Sequence, residues 1–178
     1  MAQPVSVFSA ETNNAAAKPH LPPGVKSLLL NADEFALFSL DPEPDFEHKS
    51  TNAFVNHAVL GQIKIITMTT RTSLVAALDE GIGGMGNGLA LLPDCFNPRH
   101  GVRARKNGET VEFLICFECE QIEVYSSKGT NWFFRTTRNP AAVFNRVLKK
   151  GGVPLPTNKN AKALGLRVFS AMKQQYYF

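Results

Sequence analysis

All three cysteines of the chain and one of its four histidines fall within 25 residues, as Cys95-Phe-Asn-Pro-Arg-His100 and Cys116-Phe-Glu-Cys119. Thiolates and imidazoles are the ligands tetrahedral zinc prefers, so Cys95, His100, Cys116 and Cys119 form a candidate metal set, and zinc is the one cofactor they suggest. Thiol chemistry is the second option. Cys95 stands near Arg99 and His100, cationic neighbours of the kind that lower a thiol pKa, which makes Cys95 and His100 the candidate catalytic residues. A Cys116–Cys119 or Cys95–Cys119 redox pair is a variant of the same chemistry. The third option is structural: free cysteine packs as a small hydrophobe, and Cys116 lies in the apolar run Phe113-Leu-Ile-Cys-Phe117, where buried thiols would accompany a hydrogen-bonded His100.

Strand geometry constrains these options. Asn107-Gly108 is a strong hairpin signal and predicts two strands, 99–106 and 109–125. A two-residue loop pairs Lys106 with Glu109, and therefore His100 with Ile115 and Arg99 with Cys116. Alternation then puts His100 and Cys119 on one face and Cys116 on the other, so a regular hairpin cannot gather four ligands. Pro98 ends the ladder and frees Cys95 to approach either face. The apolar phase also switches from odd positions (Val111, Phe113, Ile115, Phe117) to even ones (Ile122, Val124), which predicts a bulge at Glu118-Cys-Glu120.

The rest of the chain supplies the scaffold. Residues 1–24 read as a flexible N-terminal arm ending in the rigid turn Leu21-Pro-Pro-Gly24, with the globular domain spanning 25–155. Short apolar runs at 25–30 and 35–40 suit a helix turn or strand, and Asp41-Pro-Glu-Pro-Asp45 is expected to interrupt regular structure. A strand is predicted over 57–68, then a helix through Leu74, Ala77 and Leu78 that ends in a left-handed cap at Gly81. The glycine-rich run 81–88 follows a helix and lacks Gly-Lys-Ser/Thr, so it reads as a mobile connection and not a phosphate loop. A strand over 131–137 precedes a helix capped by Asn139, opened by Pro140 and closed by Gly151-Gly152, with Phe144, Val147 and Leu148 on one face. Residues 156–178 form a basic C-terminal helical extension. The expected fold is α+β: a single domain, mainly an antiparallel sheet with a central hairpin and two or three helices packed on one face.

At 178 residues and 44% hydrophobic content the chain suits one domain with a real core. No apolar run reaches transmembrane length and no secretory leader is visible, so a cytoplasmic location is expected, or a periplasmic or secreted one if a signal has been removed. Three cysteines allow at most one disulfide. The net charge of +4 hides a division: residues 1–123 carry 9 basic and 15 acidic side chains, whereas 124–178 carry 10 basic and none acidic. Such an end can attract an acidic partner, nucleic acid or an anionic membrane, or meet the chain's own acidic half.

Cys95-Phe-Asn-Pro-Arg-His-Gly-Val-Arg103 followed by Ile115-Cys-Phe-Glu-Cys119 resembles a group of small bacterial proteins with a C-F-x-P-R-H-G-[IV]-R and [IV]-C-F-x-C pattern. Those proteins also tend to carry elements like Ser39-Leu-Asp-Pro42 and Val59-Leu-Gly61. The resemblance covers roughly residues 25–155 and implies a bacterial origin and one compact domain. It brings no established activity, substrate or cofactor.

Three functions compete. The first is a non-catalytic binding or interaction protein, with Arg99, His100 and Arg103 near the surface as binding residues and another, acidic protein as partner. It follows from the absence of a serine-nucleophile signature or spaced carboxylate pair. The second is a metal-dependent or thiol enzyme centred on Cys95 and His100, joined by His57, although His57 reads more simply as a surface histidine at a strand start. The third is binding of nucleic acid or an anionic membrane through residues 128–173, where Arg135, Arg138, Arg146, Lys149 and Lys150 lie near Trp132 and Phe133. Trp132-Phe-Phe134 reads more simply as core, by the usual burial of aromatic strands. The first function is the expectation carried forward.

Overall fold

In the computed structural model of the protein, residues 19–47, 52–84 and 96–156 are described. Asn107 and Gly108 take φ of 50° and 79°, the left-handed pair a tight hairpin turn demands, and join β5 (His100–Lys106) to β6 (Glu109–Cys116). The register is the one the two-residue loop dictates: Lys106 opposes Glu109 and His100 opposes Ile115.

The expected strand 109–125 is in fact two strands. β6 stops at Cys116, residues 117–120 reverse the chain, and β7 (Gln121–Ser126) returns with Cys116 opposite Gln121, Ile115 opposite Ile122 and Phe113 opposite Val124. Odd positions thus pair with even ones. The change of apolar phase marks a hairpin and not a bulge, and Glu120, at φ 56°, absorbs the reversal. β8 (Asn131–Thr136) continues the meander.

The N-terminal half grips this meander from both sides. β1 (Glu34–Pro44) pairs with β5, and β3 (His57–Lys64) and the two-residue β2 (Ala53–Phe54) extend the sheet beyond β1. Helix α2 (Met68–Gly81) then carries the chain across to β4 (Ile82–Gly84), which pairs with β8 at the opposite edge. The result is one antiparallel eight-stranded sheet in the order β2-β3-β1-β5-β6-β7-β8-β4. α1 (Pro23–Leu30) and α3 (Ala141–Lys150) join α2 in one apolar cluster with Leu37, Val102, Phe113, Ile122 and Phe134 of the sheet, so all three helices cover the same face. This is the expected α+β class.

Several boundaries differ from expectation for local reasons. β1 runs through Pro42 and Pro44 because β5 ends opposite Ser39; beyond it, among the described residues, the Leu40 N–H donates to the Arg99 carbonyl and β1 otherwise pairs with β3, through bulges, so the missing proline donors go unused. β3 ends at Lys64, and Met68 already belongs to α2. α2 does end at Gly81, yet not through a left-handed cap: the glycine is needed because a Cβ there would lie 2.6 Å from Pro140 Cγ and 2.9 Å from Thr136 Oγ1. α3 is capped by Pro140 and not by Asn139, and Gly152 at φ 70° closes it. α1 starts at Pro23, with Leu21 already in the core. Its entry is tied to α2 through Asp79, which accepts hydrogen bonds from the Leu21 N–H (2.9 Å) and Lys26 Nζ (2.6 Å). Residues 1–18, the 85–88 part of the glycine run, Cys95 and the extension beyond 156 lie outside the described residues.

Candidate functional site

His100 is the first residue of β5 and points, with Val102 and Ala104, at the helical face. It is buried, not near the surface as expected, because α3 covers it: Asn145 Oδ1 lies 2.8 Å from His100 Nε2, and the Phe144 ring meets the imidazole edge-on at 5.9 Å. Phe117 closes a third side at 5.1 Å. Burial pushes the imidazole pKa down to about 4, against the opposing hydrogen bond to Asn145 Oδ1 and with a smaller push from the Arg99 charge. At neutral pH the ring is therefore neutral, its Nε2–H donating to Asn145. Nδ1 is left as a bare, buried acceptor with no partner among the described residues.

Cys116 and Cys119 bracket the β6–β7 turn with Cα atoms 5.2 Å apart, and their sulfurs are joined in a disulfide. The opposite faces foreseen for them apply only within a strand; β6 ends at Cys116, so alternation no longer governs Cys119. The Cys119 N–H also donates to Cys116 Sγ at 3.1 Å. Only two residues separate the cysteines, so the bond closes a very short loop, and loop entropy assigns it about 2 kcal/mol. Arg99, just before β5, reaches Glu118 of the turn at 3.2 Å. Between them lies a pocket of about 140 Å³ whose wall includes Arg99, His100, Cys116, Phe117, Glu118 and Asn145.

The remaining candidates sit elsewhere. Arg103 projects from the opposite sheet face, where its Nε donates to Glu112 at 2.6 Å and its guanidinium lies 5.2 Å and 5.0 Å from the Phe38 and Phe54 ring centroids. Arg99, His100 and Arg103 are thus not one surface. His57 does begin β3, but it is buried, with Nδ1 3.0 Å from the Asp41 carbonyl, and burial lowers its pKa. Cys95 lies outside the described residues. Among the described residues no three His, Cys, Asp or Glu side chains are grouped to hold a metal ion. In the disulfide the sulfurs of Cys116 and Cys119 are spent on each other, so zinc at these residues requires the reduced pair.

A second concavity, of about 350 Å³, opens between the end of β3, the start of α2 and the outer side of α3. Ile63, Val143 and Val147 give it apolar walls; Lys64, Arg146 and Lys150 supply cations, none ion-paired with a described residue. Its lip carries Ile66, 80% exposed, and Met68 beside it is 56% exposed. The first turn of α2 has no acidic residue, so its amide dipoles present uncompensated positive charge. Farther along the basic end, Arg135 and Arg138 are drawn to Glu120 at 3.9 Å and 3.4 Å, and Phe134 is core.

Sequence reasoning missed Asn145 and this groove. The spacing of α3 marks Phe144 and Leu148 as inward, and Asn145 next to Phe144 is the one polar residue placed to reach a buried partner; without knowing that α3 packs on β5 nothing links it to His100. No helix among the described residues is long and apolar enough to cross a membrane. The chain matches no protein-family model, no curated protein and no solved structure.

Proposed function

We propose that the protein is a non-catalytic interaction module that binds an acidic, partly apolar segment of a partner protein in the groove between β3, α2 and α3. The observation that carries this is the coincidence, in one concavity, of apolar walls, an 80% exposed isoleucine and three cations with no acidic partner among the described residues. The acidic partner expected for the basic end of the chain is kept; the contact moves from Arg99, His100 and Arg103 to Lys64, Arg146 and Lys150.

Magnitudes divide the work. Covering Ile66 contributes about 2 kcal/mol by area, whereas each exposed cation adds about 0.2–1 kcal/mol and is screened by salt. Apolar contact supplies most of the affinity, and charge selects the partner.

The test is fluorescence anisotropy with a labelled amphipathic peptide bearing glutamates on one face and leucines on the other. Binding is expected to weaken about tenfold or more in Ile66→Asp, a few-fold in Lys150→Glu, and with rising salt. Equal binding of a lysine-for-glutamate peptide, or loss of the peptide signal alongside retained binding to phosphatidylserine vesicles or single-stranded RNA, rejects the module.

A further inference from the structure

A different part of the molecule carries chemistry that partner binding does not use. We propose that Cys116 and Cys119 are a dithiol/disulfide couple that exchanges with small thiols through the pocket beneath His100, with Cys116 as the sulfur that reacts and Cys119 as the one that leaves and returns.

Three observations assign these roles. First, Cys116 is part of the pocket wall and Cys119 is not, so a small thiol in the pocket lies against Cys116, although both residues are buried (1% and 6% exposed) and Cys116 is the more enclosed of the two. Second, Cys116 Sγ receives the Cys119 N–H at 3.1 Å. A hydrogen bond to sulfur favours the thiolate over the thiol, so Cys116 is the better-stabilised anion once the bond opens. A turn amide here does what a helix N-terminus does for other Cys-x-x-Cys pairs. Third, Arg99 lines the same pocket; one end of its guanidinium is paired with Glu118 at 3.2 Å, but its buried Nε has no partner among the described residues and can meet an incoming thiolate. The volume admits the sulfur-bearing end of a small thiol and excludes a folded chain.

The exchange balances as follows. A small thiolate attacks Cys116 Sγ, the Cys116–Cys119 bond breaks, and Cys119 departs as a thiolate that takes a proton from water. A second small thiolate attacks the small-molecule sulfur of the mixed disulfide, releasing the symmetrical small disulfide and the Cys116 thiolate. Two small thiols are oxidised and the protein pair is reduced by two electrons; the reverse sequence oxidises the protein, with Cys119 resolving the mixed disulfide on Cys116.

The test uses the full chain carrying Cys95→Ser. With Cys119→Ser added and cystamine as probe, one cysteamine is expected on Cys116, located by peptide mass. With Cys116→Ser instead, labelling of Cys119 is expected to be at least about tenfold slower. Equal labelling, or faster labelling of Cys119, overturns the assignment. The intact pair gives a second readout that needs neither variant to fold. Its reduction by 2-mercaptoethanol in the native protein is expected within about tenfold of the rate in the urea-unfolded chain. A slower native rate marks a sealed structural disulfide and overturns the proposal. None of these readouts involves the α2–α3 groove, so the two proposals fail separately.

Discussion

His100 Nε2 and Asn145 Oδ1, 45 residues apart in sequence, meet at 2.8 Å and fasten α3 to the first residue of β5. Asn145→Leu fits the surrounding apolar packing but leaves the imidazole with no partner on either nitrogen. The expected loss is about 1–3 kcal/mol, read from denaturant midpoints. The double variant Asn145→Leu/His100→Leu should recover much of it, because removing both polar partners is far less disruptive than orphaning one.

The buried imidazole also sets an acid limit. Its folded pKa of about 4 lies below the 6.5 of a free histidine, so between these values the unfolded chain binds more protons. Stability is full above about pH 6.5 and falls by about 3 kcal/mol as the pH drops toward 4. Unfolding titrations at neutral and mildly acid pH check this, and His100→Leu should flatten that window. A second, lower window belongs to Asp79. Burial pushes its carboxyl up, but the hydrogen bonds from Lys26 and the Leu21 N–H and the charges of Lys26 and His20 outweigh that and hold it below the usual range. Its contribution is present above the ordinary carboxylate value of 3.8 and is lost as the pH falls through the lowered one.

Two helical glycines should respond in opposite directions to alanine. At Gly81 a methyl meets the Pro140 ring and Thr136, neither a flexible side-chain end, so Gly81→Ala should cost about 1–3 kcal/mol despite its better helix propensity. At Gly24, in the first turn of α1, nothing lies within 4 Å of the added carbon, and Gly24→Ala should stabilise by about 0.5 kcal/mol. Thermal melts of the two variants decide both.

Reduction of the disulfide should lower stability by about 2 kcal/mol, since so short a loop restrains the unfolded chain only modestly. Zinc uptake at Cys116 and Cys119 should depend on the same reduction. Elemental analysis of oxidised and reduced protein checks this: uptake confined to the reduced form and lost in Cys119→Ser is the expected pattern, whereas zinc held by the oxidised protein would place a metal site elsewhere.

What could be read from the sequence followed from local chemistry. Asn107-Gly108 fixed the β5–β6 register to the residue, and the Gly151-Gly152 pair marked the end of α3 correctly. The β6–β7 reversal escaped because Phe117-Glu-Cys-Glu120 contains no glycine, proline or asparagine; a non-glycine residue, Glu120, takes the left-handed position. At Pro42 and Pro44 the composition rule failed because it cannot know that, among the described residues, no strand pairs with one side of β1 there. The burial of His100 and His57 was illegible for a related reason: each depends on what packs over it, and Asn145 and the Asp41 carbonyl come from distant elements. The groove joins three elements that no sequence pattern places together.

β1 covers most of the β5 edge of the β5–β8 meander and β4 covers Arg135 and Thr136 at the end of β8, and both precede the meander in the chain. During synthesis the clasp is therefore made before the object it will hold. Residues 34–84 emerge with a β1 edge that waits for β5, complete at residue 106, and a β4 edge that waits for β8, complete at residue 136, which makes this half the one exposed to mispairing with other chains. Once closed, the meander is covered along β5, and at β8 no described strand covers the edge before Arg135. Amides of β5, paired on both sides, should exchange with solvent only when the sheet opens, whereas β8 before Arg135, where no described strand covers its outer edge, should exchange sooner.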